Sequence, residues 1–161
     1  MSRSICLSLA LIAGMGLSLG ACSSSPEGFL KKAMEGDSSE MRLGQMAEQR
    51  GASPELRAFG HMLVTDHAKA KADVLPVARA HGLEPTDDMA SQAKDEAKKL
   101  AGLSGPAFDR EFASYMVKDH QQDIEDFTKA ADGKDQDVAR LARATLPALR
   151  KHPARAQGLV G

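Results

Sequence analysis

Two histidines lie at the end of a repeated sequence pattern. Residues 59–67 and 112–120 share a first phenylalanine, a central bulky apolar residue, a valine and a final Asp-His pair at the same positions. Neutral imidazole binds zinc, copper, iron or nickel, and a ligating imidazole usually donates its second N–H to a carboxylate or a carbonyl. The repeated pair therefore predicts either a metal site or a buried hydrogen-bonded network that includes His67 and His120.

The spacing of apolar residues indicates that both histidines face the core. Phe59, Leu63 and His67 follow one another at intervals of four residues, and so do Phe112, Met116 and His120. His152 lies on the apolar stripe of the last helical segment, and Glu40 shares a face with small residues in the first. If the second and fourth segments run parallel and the first and last run opposite to them, a rise of about 1.5 Å per residue places these four side chains roughly 18–26 Å from one end of a bundle. They can then meet in one layer.

The first hypothesis is a site for one transition-metal ion, such as zinc, iron or copper. Its candidate ligands share a core-facing position and a similar depth: Glu40, His67, His120 and His152. Asp66 and Asp119 are further ligands or orient the imidazoles. Di-iron bundles use a Glu-x-x-His motif on two helices, but Val64 and Val117 occupy the positions of those glutamates, so a mononuclear site is favoured.

The alternative hypothesis is that the Asp-His pairs are structural. They would hydrogen-bond across the core and fix the register of the helices. The protein would then be a non-catalytic envelope module that binds a partner protein or buffers envelope stress through its outer faces. Pro153 disfavours a helical conformation for His152, and Pro147 removes a backbone hydrogen bond one turn earlier. The share of His152 in a metal site therefore depends on where the helix breaks.

Helix start and stop signals predict an all-α protein. Ser25-Pro26 and Ser53-Pro54 each provide an N-cap serine followed by a proline in the first turn. Glycines follow the helix-like segments, where they can adopt the left-handed conformation that ends a helix. The predicted helices span residues 26–50, 54–81, 87–101, 106–132 and 135–157. Four long helices and one short helix predict a four-helix bundle with an extra helix in its long connection.

Composition argues against several functional classes. The formal net charge is −1, and the sequence contains no strongly basic patch, which argues against binding of nucleic acid. Tryptophan is absent and only 4% of the residues are aromatic, so stacking platforms for bases or sugars are not expected. The chain has no nucleophile elbow, phosphate-binding loop or zinc-protease motif, so an enzyme is the less favoured interpretation.

The amino terminus has the features of an export signal. One basic residue precedes a short apolar stretch, which ends in Leu-Gly-Ala-Cys at residues 19–22. This ending resembles the bacterial lipobox and implies that residues 1–21 are removed and that Cys22 is lipidated. Residues 22–28 would form a tether, and residues 29–158 the bundle. Ser23 follows the cysteine, which by the same resemblance favours the periplasmic side of the outer membrane over the inner membrane.

Taken together, these motifs resemble one bacterial family. The resemblance extends from about residue 29 to residue 157 and rests on several segments: Ser39-Glu40 with residues 43–47, both Asp-His pairs, residues 103–109, and residues 145–149 with His152. The family consists of predicted envelope proteins with a ferritin-like fold, known as a domain of unknown function. The resemblance implies a ferritin-like bundle and an envelope location, but no established reaction.

Overall fold

The structure, a computed structural model, describes residues 25–159, and every regular element within this range is an α-helix. The all-α prediction is therefore confirmed. The helices are α1 (Pro26–Arg50), α2 (Pro54–Ala80), α3 (Ser91–Ala101), α4 (Gly105–Ala131), α5 (Gln136–Leu149) and α6 (Lys151–Gln157).

Side-chain caps explain why three of these helices begin where they do. The hydroxyl of Ser25 accepts a hydrogen bond from the backbone N–H of Gly28, and the hydroxyl of Ser53 accepts one from Leu56. The carboxylate of Asp135 does the same for Val138 at the start of α5. Each cap satisfies a backbone donor that the first helical turn leaves free. These three starts lie within one residue of the predicted ones.

The structure corrects two predicted boundaries. α3 begins at Ser91 rather than residue 87, because the segment before it is bound to α1 and α2: the N–H of Ala90 donates to the Ser39 hydroxyl at 2.9 Å, and Lys71 pairs with Asp87. The predicted helix 135–157 is divided at Arg150 into α5 and α6. Pro153 has no N–H to offer the carbonyl oxygen four residues earlier, which weakens the helix at this point.

Contacts at the two ends of the molecule define the helix directions. At one end, the carboxylate of Asp109 in α4 accepts hydrogen bonds from the N–H groups of Ala52 and Ser53, next to the start of α2. At the other end, Phe29 near the start of α1 packs edge-on against Phe127 near the end of α4, with ring centroids 4.9 Å apart. α2 and α4 therefore run parallel to each other, and α1 runs antiparallel to both.

The core consists of two apolar clusters. One is formed around Leu63, Phe112 and Met116, and the other around Leu30 and Val74. In each of α1, α2 and α4, the residues of one cluster and those of the other are separated along the helix by at least one buried polar residue. The packing of the two apolar clusters thus holds a polar layer between them.

Candidate metal centre

Three histidines from three helices meet in this polar layer. His67 in α2, His120 in α4 and His152 in α6 are exposed by 3%, 0% and 1%. Their ring centroids lie 5.6, 5.3 and 4.8 Å apart, and one ring nitrogen of each lies within 4.8 Å of the others. Imidazoles more than about 8 Å apart could not share one ion with bonds of about 2 Å, and these rings are well inside that limit.

One nitrogen of each imidazole faces a hydrogen-bond acceptor. His67 Nδ1 lies 2.9 Å from a carboxylate oxygen of Asp37, and His152 Nε2 lies 2.9 Å from one of Asp66. His120 Nδ1 lies 3.0 Å from the carbonyl oxygen of Met116. A backbone carbonyl and an ionised carboxylate only accept hydrogen bonds. A neutral ring that donates to such a partner from its outer nitrogen keeps a lone pair on its inner nitrogen. Burial raises the pKa of the Asp37 carboxyl group well above its usual value.

The inner nitrogens face one another. The Nε2 atom of His67 is buried and has no hydrogen-bond partner, while His120 Nε2 lies 2.8 Å from His152 Nδ1. Two nitrogens bound to one tetrahedral ion with bonds of about 2.0–2.1 Å are about 3.3 Å apart. The His120–His152 pair would therefore have to separate by only about 0.5 Å to admit an ion.

Burial keeps two of these imidazoles, His67 and His120, in the neutral form that can bind a metal. The pKa of His67 is lowered to about 3, first because the ring is removed from water and then because of neighbouring His152. The pKa of His120 is lowered to about 3 by burial and by the other two rings. Both rings are therefore neutral at neutral pH.

A second group of donors lies against the same His120 ring. Glu40 is fully buried, and its Oε1 atom lies 3.8 Å from His120 Nδ1. Neither carboxyl oxygen of Glu40 has a hydrogen-bond partner. One oxygen each of Glu40 and Asp119 and one ring nitrogen of His120 lie within 4.8 Å of one another. The structure thus brings together the six residues singled out from the sequence, but it arranges most of them in two donor groups that share His120.

Neither aspartate of the two Asp-His pairs is hydrogen-bonded to the histidine that follows it in sequence. Asp66 binds His152 of α6 rather than the neighbouring His67, whose partner is Asp37 from α1. Asp119 faces Glu40, and burial followed by this neighbour raises the pKa of Glu40 well above its usual value. The hydrogen-bond partners of these residues therefore come from other helices and depend on how the helices pack.

Sequence analysis did not identify three other residues of the layer: Asp37, Tyr115 and Asp123. Burial raises the pKa of Asp123 to about 8, and the nearby Asp119 adds to this effect. The pKa of Tyr115 is also raised, by burial and then by Asp119 and Glu40. Helical spacing could have identified two of these residues. Asp37 precedes Glu40 by three residues and Asp123 follows Asp119 by four, so each lies on the same helix face as a predicted site residue.

A narrow pocket reaches this layer from the surface between α1 and α4. Its volume of about 20 Å³ is enough for about one water molecule. Gly36, Asp37, His67 and Asp123 line the pocket, together with the ion pair between Lys32 and Asp126. The pocket therefore connects the solvent to one of the three histidines.

The predicted lipid attachment residue, Cys22, lies outside the residues that the structure describes. Within residues 25–159, no helix is long and apolar enough to cross a membrane.

Comparison with known proteins gives a structural relative and a family. The crystal structure of a DUF305 fragment from Deinococcus radiodurans is similar to this chain, with a TM-score of 0.74 and 16% sequence identity, over 86% of this chain and 97% of that one. This similarity shows a shared fold. No curated protein matches the sequence. A family model described as a domain of unknown function (DUF4142) matches residues 17–159. The chain therefore belongs to the DUF4142 family.

Proposed function

We propose that the protein is a membrane-anchored envelope lipoprotein with a ferritin-like bundle, which binds a transition-metal ion in its core. His67, His120 and His152 are the proposed ligands. The observation that supports this function is the arrangement of their nitrogens: each outer nitrogen faces an acceptor, and the inner nitrogens converge. Binding of the ion is the proposed activity, and we assign no reaction to it.

Counting hydrogen atoms shows what the contact between His120 and His152 requires. Three successive contacts join the Met116 carbonyl, His120, His152 and Asp66, and each needs one hydrogen. The carbonyl and a carboxylate supply none, and two imidazoles with one N–H each supply two. The third contact is completed either by one more hydrogen on this pair of rings or by a metal ion. We propose that a metal ion between His120 Nε2 and His152 Nδ1 uses both lone pairs.

The donor set limits the class of ion. Both cysteines of the chain, Cys6 and Cys22, belong to the amino-terminal segment, so the bundle itself offers no thiolate ligand. Three imidazole nitrogens suit zinc, copper or iron and leave a fourth position for water or a carboxylate. Glu40 lies at the opposite, Nδ1 edge of His120, so we propose this carboxyl group for a neighbouring position.

A structural role for the polar layer is the second candidate. The Asp66–His152 contact joins α6 to α2, and the Asp37–His67 contact joins α1 to α2. Such bonds can fix the packing of helices without any ion. In this case the protein would be a non-catalytic module that acts through its surface.

Titration of the purified full chain with zinc distinguishes the two candidates. After treatment with a chelator, the wild-type chain is expected to bind zinc stoichiometrically, measured by competition with a chromophoric chelator. His67→Ala and His120→Ala should lose this binding, whereas His61→Ala, which alters an exposed histidine of α2, should retain it. A wild-type chain without stoichiometric zinc, or histidine variants that bind as the wild type does, would contradict the proposed metal site.

The membrane anchor is proposed from the sequence pattern around Cys22. Lipidation is tested by expressing the full chain in a two-membrane bacterium with a labelled fatty acid. We expect label on the wild-type chain and none on Cys22→Ser, and we expect the wild type to separate with outer-membrane fractions. An unlabelled wild-type chain would exclude the anchor and would leave the metal proposal unaffected.

A further inference from the structure

We infer that the centre holds a second cation, bound mainly by carboxylate oxygens, next to the three-histidine site. Its ligands are Glu40 and Asp119, and the His120 ring lies between the two ions. This inference deepens the proposed function and depends on it for the first ion. It replaces the mononuclear site expected from the sequence with a two-ion centre.

The unpartnered carboxyl group of Glu40 is the first observation. Glu40 is fully buried, and both of its oxygens lack a hydrogen-bond partner. A buried carboxyl group without partners is destabilising, so native proteins usually pair it or use it to bind a metal. Among the residues that the structure describes, no lysine or arginine forms an ion pair with Glu40, Asp119 or Asp123. Within residues 25–159, these acids therefore have no direct ion-pair partner with a permanent charge, and the charge of Lys32 acts on Asp123 without a direct contact.

The geometry is the second observation. One oxygen each of Glu40 and Asp119 and one nitrogen of His120 lie within 4.8 Å of one another. An ion with bonds of about 2.1 Å holds adjacent ligand atoms about 3 Å apart, so small inward rotations of the two carboxylates would suffice. The Nδ1 edge of His120 faces Glu40, and its Nε2 edge faces His152. The two donor groups thus lie at different edges of one ring.

The two donor groups differ in ligand chemistry. The first offers three imidazoles, and the second offers the carboxyl groups of Glu40 and Asp119. Carboxylate oxygens favour Mn²⁺ or Mg²⁺, whereas the imidazole group favours zinc or copper, so the two sites should differ in preference.

The test uses the full chain loaded with one equivalent of zinc and then titrated with Mn²⁺, with free Mn²⁺ measured by electron paramagnetic resonance. We expect the wild type to bind one Mn²⁺. Removal of an outer-shell partner alone weakens metal binding by about 10–100-fold. Loss of a direct ligand in Glu40→Gln or Asp119→Asn should therefore weaken Mn²⁺ binding by at least about 100-fold. Glu48→Gln, which alters an exposed glutamate of the same helix, is the matched control and should bind as the wild type does.

Two results would overturn the inference: zinc-loaded wild type that binds no Mn²⁺, or equal Mn²⁺ binding by the wild type and both ligand variants. Because Glu40→Gln preserves side-chain size and Asp119→Asn alters a more exposed residue, at least one variant should keep the fold. Failure of the proposed function has a different signature. In that case the chain would bind no zinc. The carboxylate site would still be supported if the zinc-free wild type bound Mn²⁺ and Glu40→Gln did not.

Discussion

At the scale of single residues, the outer acceptors determine what each histidine can do. A backbone carbonyl orients His120, whereas carboxylates from other helices orient His67 and His152. A carboxylate makes an imidazole a stronger donor to a metal and also fixes the tautomer of the ring. The three proposed ligands are therefore unequal, because the two histidines that face carboxylates depend on side chains that a single substitution can change.

Asp37→Asn tests the role of one such acceptor. The amide oxygen can still accept the bond from His67, but it cannot provide a carboxylate when the ion is bound, so we expect zinc affinity to fall by about 10–100-fold without loss of the fold. Zinc competition titration measures the affinity, and circular dichroism checks the helices. Asp73→Asn in α2 alters an exposed carboxylate that pairs with Lys69 and serves as the control. Equal zinc affinity in Asp37→Asn and wild type would show that Asp37 does not orient His67.

Asp123 should make stability depend on pH in a defined direction. Its pKa rises from 3.8 to about 8 on folding, first because of burial and then because of Asp119. Between these values the unfolded chain has lost a proton that the folded chain keeps, so raising the pH favours unfolding. This group alone can lower the free energy of unfolding by up to about 1.4 kcal/mol per pH unit.

Asp123→Asn removes that titration. The melting temperature of the metal-free variant should therefore fall less steeply between about pH 5 and 8 than that of the wild type. Glu125→Gln, on the exposed side of the same helix, should keep the wild-type slope. Parallel curves for Asp123→Asn and wild type would show that the carboxyl group of Asp123 is not perturbed in the folded protein.

At the scale of helices, local signals were sufficient for most of the fold. The starts of α1 and α2 are determined by short local motifs, a capping serine followed by a proline. The four-residue apolar spacing shows which side of each helix is buried. Of the two boundaries that sequence analysis missed, the division between α5 and α6 follows from Pro153, whereas the other depends on a long-range contact. The start of α3 depends on Ser39, which is 51 residues away from its partner Ala90. The pairing of Asp37 with His67 likewise depends on how α1 and α2 are rotated against each other.

Close packing of α1 against α2 requires glycine at one position of each helix. A Cβ atom on Gly60 would lie 2.5 Å from the carbonyl oxygen of Gly44, and one on Gly44 would lie 2.9 Å from that of Gly60. Gly60→Ala should therefore destabilise the protein by about 1–3 kcal/mol, because backbone must move to admit the methyl group.

Gly36 in α1 provides the opposite case for comparison. A Cβ atom there meets nothing within 4 Å, so Gly36→Ala should stabilise the protein by about 0.5–1 kcal/mol through higher helix propensity. Chemical denaturation of both variants measures the difference. A stabilised Gly60→Ala variant would contradict the close approach of the two helices.

At the scale of the whole molecule, the narrow pocket between α1 and α4 reaches the polar layer from the surface, and we propose it as the route by which zinc enters and leaves. Gly36 lines it next to His67, so a large side chain at this position should fill the pocket. Gly36→Leu should slow zinc transfer to an external chelator severalfold and leave the equilibrium affinity nearly unchanged, because uptake and release use the same route. Stopped-flow measurements give the rates, and Gly36→Ala is the smaller control. Unchanged transfer rates in Gly36→Leu would show that zinc uses another route.

The order of the ligands along the chain has a consequence for when the centre forms. His67, His120 and His152 are separated by about 50 and 30 residues, and the last belongs to the final helix, α6. A growing or translocating chain therefore cannot complete the three-nitrogen site until its carboxyl-terminal helix has reached α2 through the contact between His152 and Asp66. Loading with the proposed ion would therefore be one of the last steps of folding, and the ion would come from the compartment in which that step occurs.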